Sequence, residues 1–309
     1  RGWRELFNEY QPAKYAVGES WTPFSDRVFQ YARQDELGAI FDFSLEKAAW
    51  NRDEYRHTVE RTRRYAIEAG TAPTWVLGNH DVPRIASRLG VPSGTDIEAW
   101  VTSDGTEPVI DPAAAARRAR AAALIMLGLP GTAFVYQGEE LGLPEDFDLR
   151  PEELQDPIWE RGRHTFKGRD GCRVPLPWTG DRETAYGFSG SGKSWLPQPA
   201  WFADYAACLQ SDDVNSSLNM YRKAIDLRRC MVRCGDDAAL EWLDPDLCGD
   251  DGFGWKLPSG MMVLANFSAV HALTLPSEVK MLLCSRADDD HNADSHQVPP
   301  ESTVWYICR

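Results

Sequence analysis

No stretch of about 18 apolar residues occurs in this sequence, so a membrane-spanning helix is not expected. The nearest candidate, Ala121 to Phe134, is broken by Gly128, Pro130 and Gly131. Basic residues are also in deficit. The 33 Lys and Arg face 47 Asp and Glu, for a net charge of −14 and a pI near 4.9. A surface short of clustered cations does not track a phosphate backbone, so neither nucleic acid nor membrane is expected as a partner. The seven cysteines lack a regular spacing, which excludes a secreted disulfide framework and fits a reducing cytoplasm. Cys230 and Cys234, one turn apart in CMVRC, read as ordinary helix positions. Zinc-type Cys and His spacing is absent, as is a Gly-rich phosphate loop. His291 and His296 lie in the acidic stretch ADDDHNADSHQ, which reads as a solvated loop. No cofactor and no metal is expected. The chain starts at Arg1, without an initiator Met or a charged-then-apolar leader, and upstream residues are expected to be missing.

What is present supports a packed core: 309 residues, 43 % hydrophobic, with 12 Trp. Short apolar runs at Lys14–Trp21, Ala39–Leu45, Thr74–Leu77 and Thr132–Tyr136 read as buried parallel strands. Helical patterns alternate with them, at Phe24–Ala32, at Asp53–Ala69 with Gly70 as its stop, and over an Ala-rich stretch to Leu129. The last opens with Asp111 as N-cap and Pro112 in the first turn. The β-α-β-α-β-α-β order predicts parallel strands with crossover helices. A long segment without periodicity, from Gly138 to Ser211, is expected to be a functional loop excursion. Asn215–Arg229 restores a helix. From about Gly235, the short runs FGWKL, MMVLANF, ALTL, KMLLC and TVWYIC predict a small antiparallel β domain. The expected division is 1–234 and 235–309. Four strand–helix units are half of what a closed eight-stranded barrel requires.

Three strand ends carry unusual polar residues: Glu19 in AVGESW, Asn79-His80-Asp81 in WVLGNHD, and Glu139-Glu140 in FVYQGEE. In a barrel the C-terminal strand ends converge on one face, so carboxylates from separate strands meet around a substrate. Glycosidic bond cleavage uses one carboxylic acid to protonate the leaving oxygen and further carboxylates to stabilise or trap an oxocarbenium-like centre.

AVGESW, WVLGNHDVPR and GTAFVYQGEELGLPE resemble the fifth, seventh and eighth strand motifs of glycoside hydrolase family 13, the α-amylase family. QDPIWERGRHTFKGRDGCRVPLPW resembles its bacterial α-glucosidase and oligo-1,6-glucosidase branch. The resemblance implies an α/β fold comprising the C-terminal half of a TIM-type (β/α)8 barrel, strands 5 to 8, followed by a small antiparallel β-sandwich. It implies a retaining α-glucosidase acting on a short oligosaccharide or disaccharide. Glu19 is then the general acid/base, Asp81 the carboxylate that favours the transition state, and His80 a hydrogen-bond donor to the same sugar. Arg173 faces the non-reducing-end glucose. Glu139 and Glu140 are read as structural, and Trp21, Trp159, Trp178 and Trp195 as packing residues that could also stack on sugars. The family's nucleophile, an aspartate in a Gly-Phe-Arg-x-Asp segment after the fourth strand, has no counterpart here, and its position is expected to precede Arg1. The chain by itself is therefore expected to be inactive. Two other readings share the pattern: a transglycosylating relative active on trehalose or sucrose, and a non-catalytic scaffold or transporter subunit.

Overall fold

The structure, a computed structural model, describes residues 1–20, 25–233, 235–286 and 296–308. Along the first part of the chain run α1 (Gly2–Asn8), β1 (Ala16–Gly18), α2 (Ser25–Val28), β2 (Gly38–Ile40), α3 (Ser44–Lys47) and α4 (Arg52–Ala69). They are followed by β3 (Thr74–Val76), α5 (Ile85–Arg88), α6 (Ile97–Thr102), α7 (Pro112–Gly128) and β4 (Thr132–Phe134). The expected parallel pairing is present, β1 against β2 and β3 against β4, as two separate two-stranded sheets. The Thr74 hydroxyl bridges them: it donates to the Ile40 carbonyl and accepts from the Asp42 N–H at 3.2 Å. Trp21 and Phe24, read as strand and helix ends, lie outside the described residues.

Strand β2 is shorter than the apolar run AIFDFSL predicts, and the cause is local. Asp42 Oδ1 accepts from the Ser44 N–H at 3.0 Å and from its hydroxyl at 2.5 Å, while Oδ2 accepts from Thr62 at 2.6 Å. A short polar side chain that satisfies the backbone two residues on favours a turn over a strand. The turn starts α3, and so brings Glu46 inward.

Both long helices have the ends their sequences call for. Asn51 caps α4, accepting from the Asp53 and Glu54 N–H groups at 2.9 and 3.1 Å, and Gly70 ends it at φ +68°. Its buried residues Tyr55, Val59, Thr62 and Ala66 recur at helical spacing. Asp111 caps α7 ahead of Pro112. Helix α7 is apolar nearly all round because it is enclosed by helices on one side and by the C-terminal sheet on the other. Carbonyls at its end and just beyond it have partners: the Arg228 guanidinium donates to Leu127 O, Leu129 O and Gly131 O at 2.6 Å each.

Between β4 and the next long helix, no strand forms among the described residues. This excursion carries α8 (Pro157–Arg161), α9 (Ala207–Asp212) and several single 3-10 turns around a cluster of Leu141, Leu143, Val174, Leu196 and Phe202. Helix α10 (Ser217–Met231) follows, two residues later than expected at each end, with Ser216 as its cap. Cys230 is exposed on it, whereas Cys234 lies outside the described residues.

The tail begins with β5 (Glu241–Trp242), α11 (Pro245–Cys248), β6 (Gly252–Lys256) and β7 (Met262–Asn266). It continues through β8 (Leu273–Thr274), β9 (Val279–Cys284), β10 (Gln297–Val298) and β11 (Ser302–Cys308). Five strands form an antiparallel sheet in the order β5-β6-β7-β11-β9, and β8 pairs with β10. Side-chain alternation divides the sheet into two faces. Val263, Ala265 and Trp305 join the cluster around α7, while Met262, Leu264, Val304 and Tyr306 pack with Leu275 and Val298. The Trp305 indole donates to Leu124 O at 3.0 Å and the Trp255 indole to Gly128 O at 3.2 Å, so the sheet is docked on α7 by hydrogen bonds as well as area. Gly128 permits this approach, since a Cβ there would lie 2.9 Å from Val263 Cγ2. His291 falls outside the described residues.

Candidate active site

The three polar strand ends follow β1, β3 and β4, at the C-terminal ends of parallel strands. Glu19 follows Gly18 directly and is exposed. After β3, Asn79 Oδ1 accepts from the Asp81 N–H at 2.7 Å, turning the chain so that His80 and Asp81 project beyond the sheet. His80 Nε2 lies 3.5 Å from Asp81 Oδ1.

Asp81 is held by two guanidinium groups from the excursion. Arg169 Nη1 donates to Oδ1 at 2.6 Å and Arg173 Nη2 to the same oxygen at 3.0 Å. Arg173 Nε also donates to His80 O at 2.8 Å, so one side chain fixes both residues of the motif. Arg169 grips Asp156 as well, through Nε at 2.6 Å and Nη2 at 3.1 Å. Burial pushes the Asp156 carboxyl up, but the Arg169 bonds and the charge of Arg173 prevail, bringing it down to about 2. The Asp156 bonds in turn help hold the Arg169 guanidinium charged. Two carboxylates and two guanidinium groups thus form one network in which Asp156, 3 % exposed, anchors the buried end.

The excursion reaches Asp81 because Arg84 ties three segments together. Its Nη1 donates to Gln137 O and its Nη2 to Cys172 O, both at 2.8 Å, while its N–H donates to Glu145 Oε2 at 2.8 Å. Burial raises Glu145 to about 7, against the opposing Arg84 interactions.

Beneath the network lies a second buried group. Glu46, 1 % exposed, accepts from Asn79 Nδ2 at 2.7 Å through Oε2, and its Oε1 has no hydrogen-bond partner among the described residues. Burial raises its carboxyl to about 7, with Arg88 and Lys47 opposing and the charges of Asp81 and Glu19 adding to the rise. Arg88 is buried, donating through Nη1 to Glu46 O, through Nη2 to Leu77 O and through Nε to Pro83 O at 3.4 Å. Glu139 is buried too, with neither oxygen bonded among the described residues, and burial pushes it well above the usual carboxylate range. A Cβ at residue 78 would come within 2.8 Å of Glu139 Oε1, so Gly78 is what allows this contact. Glu139 faces the interior, in keeping with a structural part.

Two cavities flank the network. One, of about 820 Å³, is lined by Glu46, Asp81, Arg88, Asp156 and Arg169 among others. The other, of about 490 Å³, is lined by His80, Tyr136, Arg173, Trp178, Phe188 and Trp195, the last three about half exposed. Asp81 and its neighbours stand between a charged cavity and an aromatic one, and flat aromatic faces beside a charged hydrogen-bonding cluster suit a sugar. Trp159 instead stacks on His164 with centroids 4.8 Å apart. Among the described residues, no group of three or more His, Cys, Asp or Glu is arranged to hold a metal.

Asp81, His80 and Arg173 are therefore in direct contact, whereas Glu19 stands exposed at the end of β1. Sequence reasoning missed Arg169, Asp156, Glu46 and Arg88. Arg169 and Arg173 lie four residues apart, and the repeated arginine within GRDGCR was a readable signal. No local pattern announced Glu46.

A family profile described as "Alpha amylase, catalytic domain" matches residues 1–234. Maltase 1 of Drosophila virilis is 27 % identical over 244 residues, covering 74 % of this chain and 34 % of that protein. A probable alpha-glucosidase of Rhizobium meliloti is 37 % identical over 155 residues, 50 % of this chain and 24 % of that one. Among solved structures, the alpha-glucosyl transfer enzyme XgtA superimposes with a TM-score of 0.71 at 28 % identity, covering 99 % of this chain and 53 % of XgtA. The chain thus spans between a quarter and about half the length of these relatives. With the profile match covering most of its residues, the chain belongs to the alpha-amylase family.

Proposed function

We propose that this chain contributes the acid/base side of a retaining α-glucosidase that acts on short α-linked glucosides. The observation that carries the proposal is the convergence on Asp81. It projects from one strand end, two guanidinium groups of a distant loop orient it, and one of them also binds the His80 carbonyl. In the catalytic cycle Glu19 protonates the leaving oxygen and afterwards, as a base, activates the attacking water. Asp81 binds sugar hydroxyls and favours the positively charged transition state, His80 donates to the same ring, and Arg173 holds both residues while facing the glucose. The four parallel strands correspond to strands 5 to 8 of the barrel, and the chain divides into a catalytic part, 1–234, and a β part, 235–309. This chain has no Gly-Phe-Arg-x-Asp segment, so the nucleophile that forms the glucosyl intermediate comes from residues outside it.

The resemblance to an alpha-glucosyl transfer enzyme supports a second outcome of the same chemistry, in which another sugar replaces water as acceptor. The half-exposed Trp178 and Trp195 beside Arg173 give such an acceptor a surface to stack on.

Proton NMR of the complete enzyme with maltose tests the proposal. Retention releases α-glucose first, followed by mutarotation. Release of β-glucose first, or no turnover of any short α-glucoside, contradicts it. The 309-residue chain alone is expected to leave p-nitrophenyl α-glucoside intact, and robust turnover by it would refute the placement of the nucleophile.

A further inference from the structure

Glu46 is a carboxyl group almost wholly withdrawn from water, and one of its two oxygens has no partner among the described residues. Burying such a group is unfavourable unless a specific interaction compensates. Its single side-chain hydrogen bond reaches Asn79, whose other amide atom caps the Asp81 N–H. An amide can sit in two orientations that exchange its donor and acceptor ends. Only one of them presents Oδ1 to the Asp81 N–H, and a carboxylate oxygen opposite Nδ2 selects that one. Arg88 sets the distance across which the bond forms, because it donates both to the Glu46 carbonyl on α3 and to the Leu77 carbonyl at the end of β3. Whether Glu46 is ionised or protonated on the unpartnered Oε1, Oε2 remains an acceptor.

We infer that Glu46 is a positioning residue for Asp81: acting through Asn79, it holds the turn that carries His80 and Asp81 in the orientation their Arg169 and Arg173 contacts require. Its importance for turnover rests on the proposed role of Asp81, whereas the link itself does not. The charged groups around Glu46 include Arg88 of α5, the neighbouring Lys47, Asp81, Glu19 and the buried Glu139.

The experiment is residue-resolved hydrogen–deuterium exchange of the Asp81 amide in the full 309-residue chain, for Glu46→Ala and Glu46→Gln. An uncapped amide exchanges faster. Glu46→Ala is expected to speed exchange at Asp81 about tenfold while α7 keeps its protection, and Glu46→Gln, which can still accept from Asn79, is expected to recover most of it. Should the alanine variant not fold, Asn79→Ala removes both bonds and serves in its place. Unchanged exchange at Asp81 overturns the inference, as does equal loosening in Glu46→Gln. In the complete enzyme, Glu46→Ala should lower kcat about tenfold or more with KM little altered, and Glu46→Gln should restore most of kcat. Faster exchange without any loss of turnover would leave the link standing and refute the proposed role of Asp81.

Discussion

Arg169 and Asp156 are joined by two side-chain hydrogen bonds, 2.6 and 3.1 Å long, on the fully buried side of a network whose open side is Asp81. This pair supplies what a loop cannot supply by itself, a rigid base for a guanidinium that points at Asp81. The excursion can therefore lack regular structure and still present Arg169 and Arg173 at fixed positions.

Removal of that base should be felt in stability. Arg169→Ala leaves Asp156 buried with only Arg173 at 3.6 Å to neutralise it. The expected loss is about 2–3 kcal/mol near pH 7, at the low end for a broken buried pair because the Arg169 side chain is 35 % exposed. Asp156 is depressed to about 2, so its contribution is present above the unfolded value near 4 and lost as pH falls through 2. Urea titrations of the two proteins should diverge at pH 7 and converge near pH 2.

The buried carboxyls act with the opposite sign. Glu46 and Glu145 rise from 4.5 to about 7, and Asp146 from 3.8 to about 6, in each case chiefly through burial. A raised value means that the folded state holds the proton more tightly. That contribution is complete below the unfolded values and is lost as pH rises through 6 to 7, roughly 3 kcal/mol for each glutamate. The urea midpoint at pH 5.5 should therefore exceed that at pH 8.5. Glu145→Gln should flatten the difference, and a midpoint that rises with pH over this range would contradict the assignment.

The C-terminal sheet and α7 are expected to unfold as one unit. Gly128→Ala places a methyl group 2.9 Å from Val263 Cγ2, at about 1–3 kcal/mol for an overpacked core. Trp305→Phe deprives Leu124 O of its indole donor at a comparable cost. Both variants should show a single transition by circular dichroism and by tryptophan fluorescence. Two separated transitions would mean that the tail is independent of the helix.

Much of this was readable in the residues. Gly70 marks the end of α4, and Asp111-Pro112 marks the start of α7, because capping and helix-breaking chemistry act within a few residues. The polar ends AVGESW and WVLGNHD draw attention to Glu19, His80 and Asp81 because charged residues that directly follow short apolar runs are conspicuous. What was not legible depends on distant contacts. Glu46 meets Asn79 across 33 positions and Arg169 meets Asp81 across 88. Nothing in local periodicity encodes such pairs. Asp42 ended β2 early for the converse reason: its turn is local, but the apolar residues around it hide the signal.

The central claim is that Glu19 delivers the proton to the leaving oxygen, and the most direct measurement is the leaving-group dependence of Glu19→Gln in the complete enzyme. With maltose, whose leaving group requires protonation, kcat/KM should fall by about 10²–10⁴-fold, the usual range for a lost general acid. With a nitrophenyl α-glucoside, which leaves without help, formation of the glucosyl intermediate should be nearly unimpaired. Equal losses on both substrates, or undiminished turnover of maltose, would contradict the account.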